Sequence, residues 1–146
     1  MAAEPKDTLI NALTRREHSV VELDRKLAQH HPDLSAAERL SLIRELTTLG
    51  YQSDDRFAEM LIRSRLLKGH GRRRIEAELQ THGIDPESVS LHFEEVEESE
   101  YDRAVQALAK WSRGKPSASR EQAFRFLAGR GFQFSDATEA VKTIFG

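Results

Sequence analysis

Six cations, Arg63, Arg65, Lys68, Arg72, Arg73 and Arg74, lie within twelve consecutive positions that hold no Asp or Glu. The 146-residue chain around them has a formal net charge of −2, so the positive charge is a local concentration. Guanidinium and ammonium groups at that density suit carboxylate or phosphate oxygens. Arg72, Arg73 and Arg74 follow the Gly69-His70-Gly71 turn and open the next expected helix. A cation there opposes the helix dipole by about 0.3–1 kcal/mol, so three in a row point to an external anion or an acidic partner. They fan around the helix, and at most two can face one phosphate track. The turn reads as a helix-to-helix connection, with an anion cradle on the following amides as its alternative.

The opposite charge gathers farther along. Glu94, Glu95, Glu97 and Glu98 are followed closely by Glu100 and Asp102. Paired carboxylates can hold a hard cation, but neither a His nor a Gly-rich loop supports them here. A solvated acidic face that meets a basic partner is the better reading. His30 and His31 are adjacent, point about 100° apart on a helix and cannot share one metal. The chain contains no Cys, no GxxxxGK[ST] phosphate loop, no HExxH and no dinucleotide fingerprint. The expectation is a protein without catalysis, cofactor or metal.

Charged residues make up 32% of the chain and hydrophobic ones 38%. An average globular chain carries roughly 25% charge, so this balance suits a helical protein with much surface per residue. The opening MAAEPKDTLINALTRREHS has acidic residues and no apolar run of about 7–15 residues, so it does not read as a signal peptide. No stretch approaches the roughly 20 apolar residues of a membrane span. With no Cys, a soluble cytoplasmic monomer is expected.

Helical period dominates, and no segment alternates at period two for long enough to form a buried strand. The expected fold class is all-α. Ser19 with Glu22, Ser35 with Glu38 and Ser119 with Gln122 have capping-box spacing. Ser53, Asp85 before Pro86, and Ser135 mark further starts. Gly50, Gly83 and Gly131 stand where helices end in a left-handed residue. In the helix after Ser53, Phe57, Met60, Leu61, Ser64 and Leu67 are expected to form the buried stripe. Arg65 and Leu66 break that pattern. Either Arg65 ties down a helix C-terminus and Leu66 packs on a neighbour, or both belong to a contact face.

These landmarks recur. SVVELDRKL, GRRRIEAEL and SREQAFRFL begin at Ser19, Gly71 and Ser119, about 50 residues apart. Leu23, Ile75 and Ala123 correspond, as do Leu27, Leu79 and Leu127. Three tandem three-helix repeats are expected, over residues 1–52, 53–98 and 99–146, stacked in an elongated, curved arrangement.

Three blocks then resemble the RecX family of regulatory proteins, which modulate the RecA recombinase. They are RREHSVVELDRKL from Arg15, LGYQSDDRFAEMLIRSRLLKGHGRRRIEAEL from Leu49, and FRFLAGRGFQFSD from Phe124. The resemblance implies three three-helix repeats and a non-enzymatic regulator. Such a protein binds the RecA filament on single-stranded DNA and inhibits its ATPase, strand exchange and growth, and so acts in recombination and DNA repair. Carried onto this chain, Gly50, Tyr51, Phe57, Gly69, Gly71, Ile75, Leu79 and Gly83 become structural. Arg65, Lys68 and Arg74 match the motif and become candidates for contact with RecA or DNA, and Arg63, Arg72 and Arg73 join them as members of the same basic block. From the charge layout, Glu94, Glu95, Glu97 and Glu98 are the candidate acidic contacts with a partner. The departures are SAS in the third copy where the middle one has GHG, and an acidic balance that leaves room only for weak contact with free DNA. A direct DNA-binding helical module and a protein adaptor remain the alternatives.

Overall fold

The computed structural model describes residues 4–146, and every regular element among them is helical. Residues 1–3 of the first expected repeat lie outside the described residues. The helices are α1 (Pro5–Arg15), α2 (Val20–His30), α3 (Ala36–Thr48), α4 (Asp54–Leu67), α5 (Arg72–Thr81), α6 (Ser90–Glu94), α7 (Glu100–Arg113), α8 (Arg120–Gly129) and α9 (Phe134–Phe145). A single 3₁₀ turn, Pro86–Val89, leads into α6. The chain forms two compact units: one contains the residues up to Met60 with Thr81–Ile84, the other Leu61–Gln80 with Asp85–Gly146.

Local chemistry fixes most helix starts. Ser19, Ser35 and Ser119 form complete capping boxes with Glu22, Glu38 and Gln122. Ser53 Oγ accepts from the Arg56 amide, and Asp85 accepts from the Glu87 amide at the head of the 3₁₀ turn. One start differs from expectation. α9 begins at Phe134 with Gln133 as its cap residue, so Ser135 lies inside the helix. The Phe134 ring meets Phe124 edge-on, centroids 5.2 Å apart, which holds Phe134 within the first turn.

In the first unit, Leu9, Ala12, Leu23, Leu27, Ile43 and Leu46 from α1 to α3 form one core cluster. Beside it lies a buried polar network. Gln52 Nε2 donates to the His18 carbonyl and to Asp54 Oδ1, and Asp54 Oδ1 also accepts from the Val20 amide. Ser19 Oγ and His82 Nδ1 are 2.8 Å apart, and the His82 ring packs on Phe57 at 4.6 Å. These contacts satisfy polar groups that would be costly to bury unpaired.

The second unit has its own apolar cluster from α7, α8 and α9: Ala104, Leu108, Ala123, Leu127, Phe132, Ala137, Ala140 and Val141. All six residues matched between the repeated stretches, Leu23, Ile75, Ala123, Leu27, Leu79 and Leu127, are fully buried. The α4 stripe requires correction. Ala58 and Ile62 are buried with Phe57 and Leu61, whereas Leu67 is 85% exposed. The buried line is therefore rotated by one residue, about 100° on a helix, from the expected one. Leu67 is the last helical residue, immediately before the chain turns through Lys68 and Gly69.

Candidate functional site

The basic block lies in the second unit, and the fold divides its six cations. Arg65 is half-buried and holds Glu78 through two parallel hydrogen bonds, Nε to Oε1 and Nη2 to Oε2, both 2.7 Å. Those bonds raise its pKa above the ordinary arginine value, with burial opposing them. Arg65 therefore pairs with a carboxylate of α5 rather than capping helix-end carbonyls, which corrects the first account of its place in α4. Arg72 is half-buried as well. Its Nε donates to Glu76 Oε2 at 3.3 Å and its guanidinium lies 4.3 Å from the Phe93 ring centroid. Arg63, Lys68, Arg73 and Arg74 are exposed.

The α5 start meets its anion inside the unit. Glu100 Oε1, from the first turn of α7, accepts from the Arg72 amide at 2.8 Å. Glu100 Oε2 accepts from Arg103 Nη1 at 2.8 Å, and Arg103 Nη2 donates to the His70 carbonyl. The sequence reads this turn as a helix-to-helix connection, with an anion cradle as its alternative and an external anion or acidic partner for the arginines; the structure places the Glu100 carboxylate on the first α5 amide. Such a carboxylate both completes the orphan amide and complements the dipole.

Backbone contact holds the same turn. The Gly71 amide donates to the Arg130 carbonyl at 2.7 Å and the Arg73 amide to the Gly131 carbonyl at 3.1 Å. A Cβ on Gly71 would lie 2.3 Å from the Gly131 carbonyl carbon, and one on Gly131 would lie 2.3 Å from Arg74 Cβ. Gly131 also has φ 95°, which L side chains rarely adopt. The two turns thus approach as closely as main chains can, and the arginines that follow Gly71 are fixed at their roots. His70 Nδ1 is buried there without a hydrogen-bond partner among the described residues. Burial, then the charges of Arg74, Arg65 and Arg130, push its pKa below the ordinary value, opposed by Glu78.

Glu94, Glu95, Glu97 and Glu98 are all exposed, and Glu98 Oε2 accepts from Gln106 Nε2 at 2.9 Å. Among the structural candidates, Phe57, Gly71, Ile75 and Leu79 are buried, while Gly50, Gly69 and Gly83 take positive φ. Tyr51 is 63% exposed, so its ring is not part of a core. Among the described residues no group of three His, Asp or Glu side chains converges on a metal position. No helix among them is long and apolar enough to cross a membrane.

Sequence reasoning missed a second basic segment. Between Arg103 and Ser135 stand Arg103, Lys110, Arg113, Lys115, Arg120, Arg125 and Arg130, with Glu121 the sole acid. Trp111 and Phe126 stack nearly parallel, 15° between planes and 5.0 Å between centroids. Lys115 Nζ lies 5.2 Å from the Trp111 centroid and Arg130 Cζ 5.1 Å from that of Phe126. Arg130 Nη1 donates in turn to the Lys68 carbonyl at 3.3 Å, which joins the second segment to the first. The run from Arg103 to Arg120 without any acid was the available signal.

Residues 53–90 match the family model described as RecX, second three-helix domain. Over 144 residues the chain is 42% identical to Regulatory protein RecX of Chromohalobacter salexigens, covering 95% of this chain and 91% of that one. It is 34% identical over 142 residues to Regulatory protein RecX of Stenotrophomonas maltophilia, covering 94% and 85%. The fold is similar to the crystal structure of RecX from Lactobacillus salivarius, with a TM-score of 0.78 at 17% identity, covering 95% of this chain and 93% of that one. It is likewise similar to a further crystal structure of regulatory protein RecX, with a TM-score of 0.80 at 16% identity, covering 95% and 71%.

Proposed function

The chain belongs to the RecX family of regulatory proteins, and we propose that it is a non-enzymatic regulator that binds the RecA filament on single-stranded DNA. Bound there, it restrains ATP hydrolysis, strand exchange and filament growth, and so modulates recombination and DNA repair. The observation that carries this reading is the set of exposed cations left over at the α5 turn. Glu100 already satisfies the α5 start and Glu78 already satisfies Arg65, yet Lys68, Arg73 and Arg74 remain turned to solvent. Internal stability does not account for them, and an external anion does.

Charge segregation supports a filament over naked DNA as the target. A chain of net charge −2 has little long-range attraction for a free polyanion. A groove lined by both protein and nucleic acid suits it better. In this proposal Arg63, Lys68, Arg73 and Arg74 face phosphate, and the exposed Glu94, Glu95, Glu97 and Glu98 face basic protein surface. Residues 1–52, 53–98 and 99–146 act as three repeats of a cytoplasmic monomer that needs no cofactor. Inhibition follows if the chain binds one filament state in preference to the state required for turnover or subunit addition.

The test is the single-strand-dependent ATPase rate of the cognate RecA as the chain is titrated into preformed filaments. The expected result is inhibition that weakens by about tenfold or more in the R73E/R74E variant, since removing and reversing two phosphate contacts costs at least about 1.4 kcal/mol. Inhibition far below one copy per RecA would identify end-blocking, and inhibition near saturation would identify groove coating. Absence of both inhibition and filament binding would sink the proposal and favour a DNA module or an adaptor.

A further inference from the structure

The stack of Lys115, Trp111, Phe126 and Arg130 has features that the filament reading does not use. Two rings already lie parallel at stacking distance, and a side-chain cation lies over each, Lys115 over Trp111 and Arg130 over Phe126. Trp111 and Phe126 are half-buried, anchored against the α7–α9 cluster, so the stack stands on a fixed base. Lys115 is exposed and sits in the loop between α7 and α8, two residues beyond the last residue of α7. A solvent-exposed cation–π contact is worth about 0.5–1 kcal/mol, which a planar ligand can replace. From Arg103 to Arg120 five cations and no acid line the chain.

A ligand that fits must be anionic and must carry a flat apolar group with a free face. An acidic peptide supplies the charge without a plane for the indole. Duplex DNA has planes, but pairing and stacking bury their faces. An unpaired polynucleotide has both.

We propose that Trp111 and Phe126, with Lys115 and Arg130, form a stacking site for an unpaired nucleobase, with the adjoining phosphates held by Lys115, Arg130 and Lys68. The base takes the place of Lys115 over the Trp111 ring, and Lys115 moves off to pair with phosphate. Base–aromatic stacking is worth about 1–3 kcal/mol per base and tolerates any sequence. The inference stands beside the filament reading, since it requires no RecA.

The chain has one tryptophan, so its emission reports Trp111 alone. Titrating the full chain with single-stranded oligothymidylate should produce a saturable loss of most of that emission. The log–log salt dependence should have a slope near −2, about −0.7 for each of three phosphates. K115E, a change on the exposed loop, should weaken binding about tenfold while lowering the thermal transition by no more than about 4 °C, and W111A should weaken binding by a similar factor in anisotropy of a labelled strand. Because Trp111 also packs on the core, W111F serves as its folded counterpart and should bind more tightly than W111A. Absence of quenching would overturn the proposal. So would equal affinity for inorganic polyphosphate or for blunt duplex, or K115E binding like the parent. A filament assay that failed while Trp111 was still quenched would sink the functional proposal and leave this one standing.

Discussion

The starts of α8 and α5 solve one problem by different means. At α8, Ser119 Oγ accepts from the Gln122 amide at 3.1 Å and Gln122 Oε1 accepts from the Ser119 amide at 2.9 Å. Four consecutive residues suffice. At α5 the equivalent position is Gly71, which has no side chain to offer. The acceptor for the Arg72 amide comes from Glu100, twenty-eight positions beyond Arg72, and the Arg73 amide is taken by the Gly131 carbonyl. Gly71 cannot be a serine because its Cβ would meet the Gly131 main chain. The middle copy therefore gives up its local cap in exchange for backbone contact with the α8–α9 turn. Its helix start is complete only when the second unit is folded, and its arginines are held by tertiary structure.

The largest effect should come from breaking that contact. G71A forces a Cβ to 2.3 Å from the Gly131 main chain, and G131A forces one to 2.3 Å from Arg74 Cβ and 2.6 Å from the Arg74 amide nitrogen while adding a strained φ. Each should cost about 3 kcal/mol or more in urea denaturation, above the usual range for overpacking because main chain cannot step aside. G129A has nothing within 4 Å and sits in helix, so it should stabilise by about 0.5 kcal/mol. If G71A were as well tolerated as G129A, the close approach of the two turns would be wrong.

Next in size is a comparison of the caps themselves. E100A strips the α5 acceptor and leaves the largely buried Arg103 without its carboxylate, and should cost about 2 kcal/mol. S119A removes only a local cap and should cost about 1 kcal/mol. Equal losses would mean that the tertiary cap adds nothing beyond a local one. A smaller effect belongs to Arg65. Its bidentate pair with Glu78 is partly exposed, at 23% and 30%, so a double-mutant cycle should give a coupling of about 0.5–1 kcal/mol. A coupling near zero would return Arg65 to the candidates for partner contact.

The same comparison shows what the sequence could disclose. Capping boxes at Ser19, Ser35 and Ser119 are written in four residues each, and all three are present. The repeat of buried positions was legible because helical period and spacing are local properties. Glu100 was visible only as one of six nearby acids, since nothing in its neighbourhood says which of them reaches back to Arg72. Arg65 stood open between a helix-end contact and a contact face because its carboxylate, Glu78, lies in the next helix, whereas the Arg72 partner, Glu76, stands one turn on and was legible from i,i+4 spacing. The Trp111 stack went unread because Phe126 and Arg130 join it only through the packing of α8 on α7. A basic block in a sequence is thus an upper bound on external charge, and folding subtracts from it.

The smallest effect is the dependence on pH. His70 corresponds to His18 in the first copy and to Ala118 at α8, so of the three copies the third lacks a titrating group there. Burial, reinforced by Arg74, Arg65 and Arg130 and opposed by Glu78, holds the His70 pKa below its unfolded value. Burial acts the same way on His18, with the charge of Arg16 adding to it and the Arg16 carbonyl opposing. A lowered histidine pKa means that the unfolded chain binds more protons than the folded one in this range, so stability rises with pH. It is fully present above the unfolded pKa of about 6.5 and declines as pH falls below it. Chemical denaturation between about pH 8 and pH 5 should show that decline, shallower in H70A and shallower still in H70A/H18Q. An unchanged slope in H70A would mean that the imidazole is not held neutral by the turn, and that the arginines around it lie farther off than the fold places them.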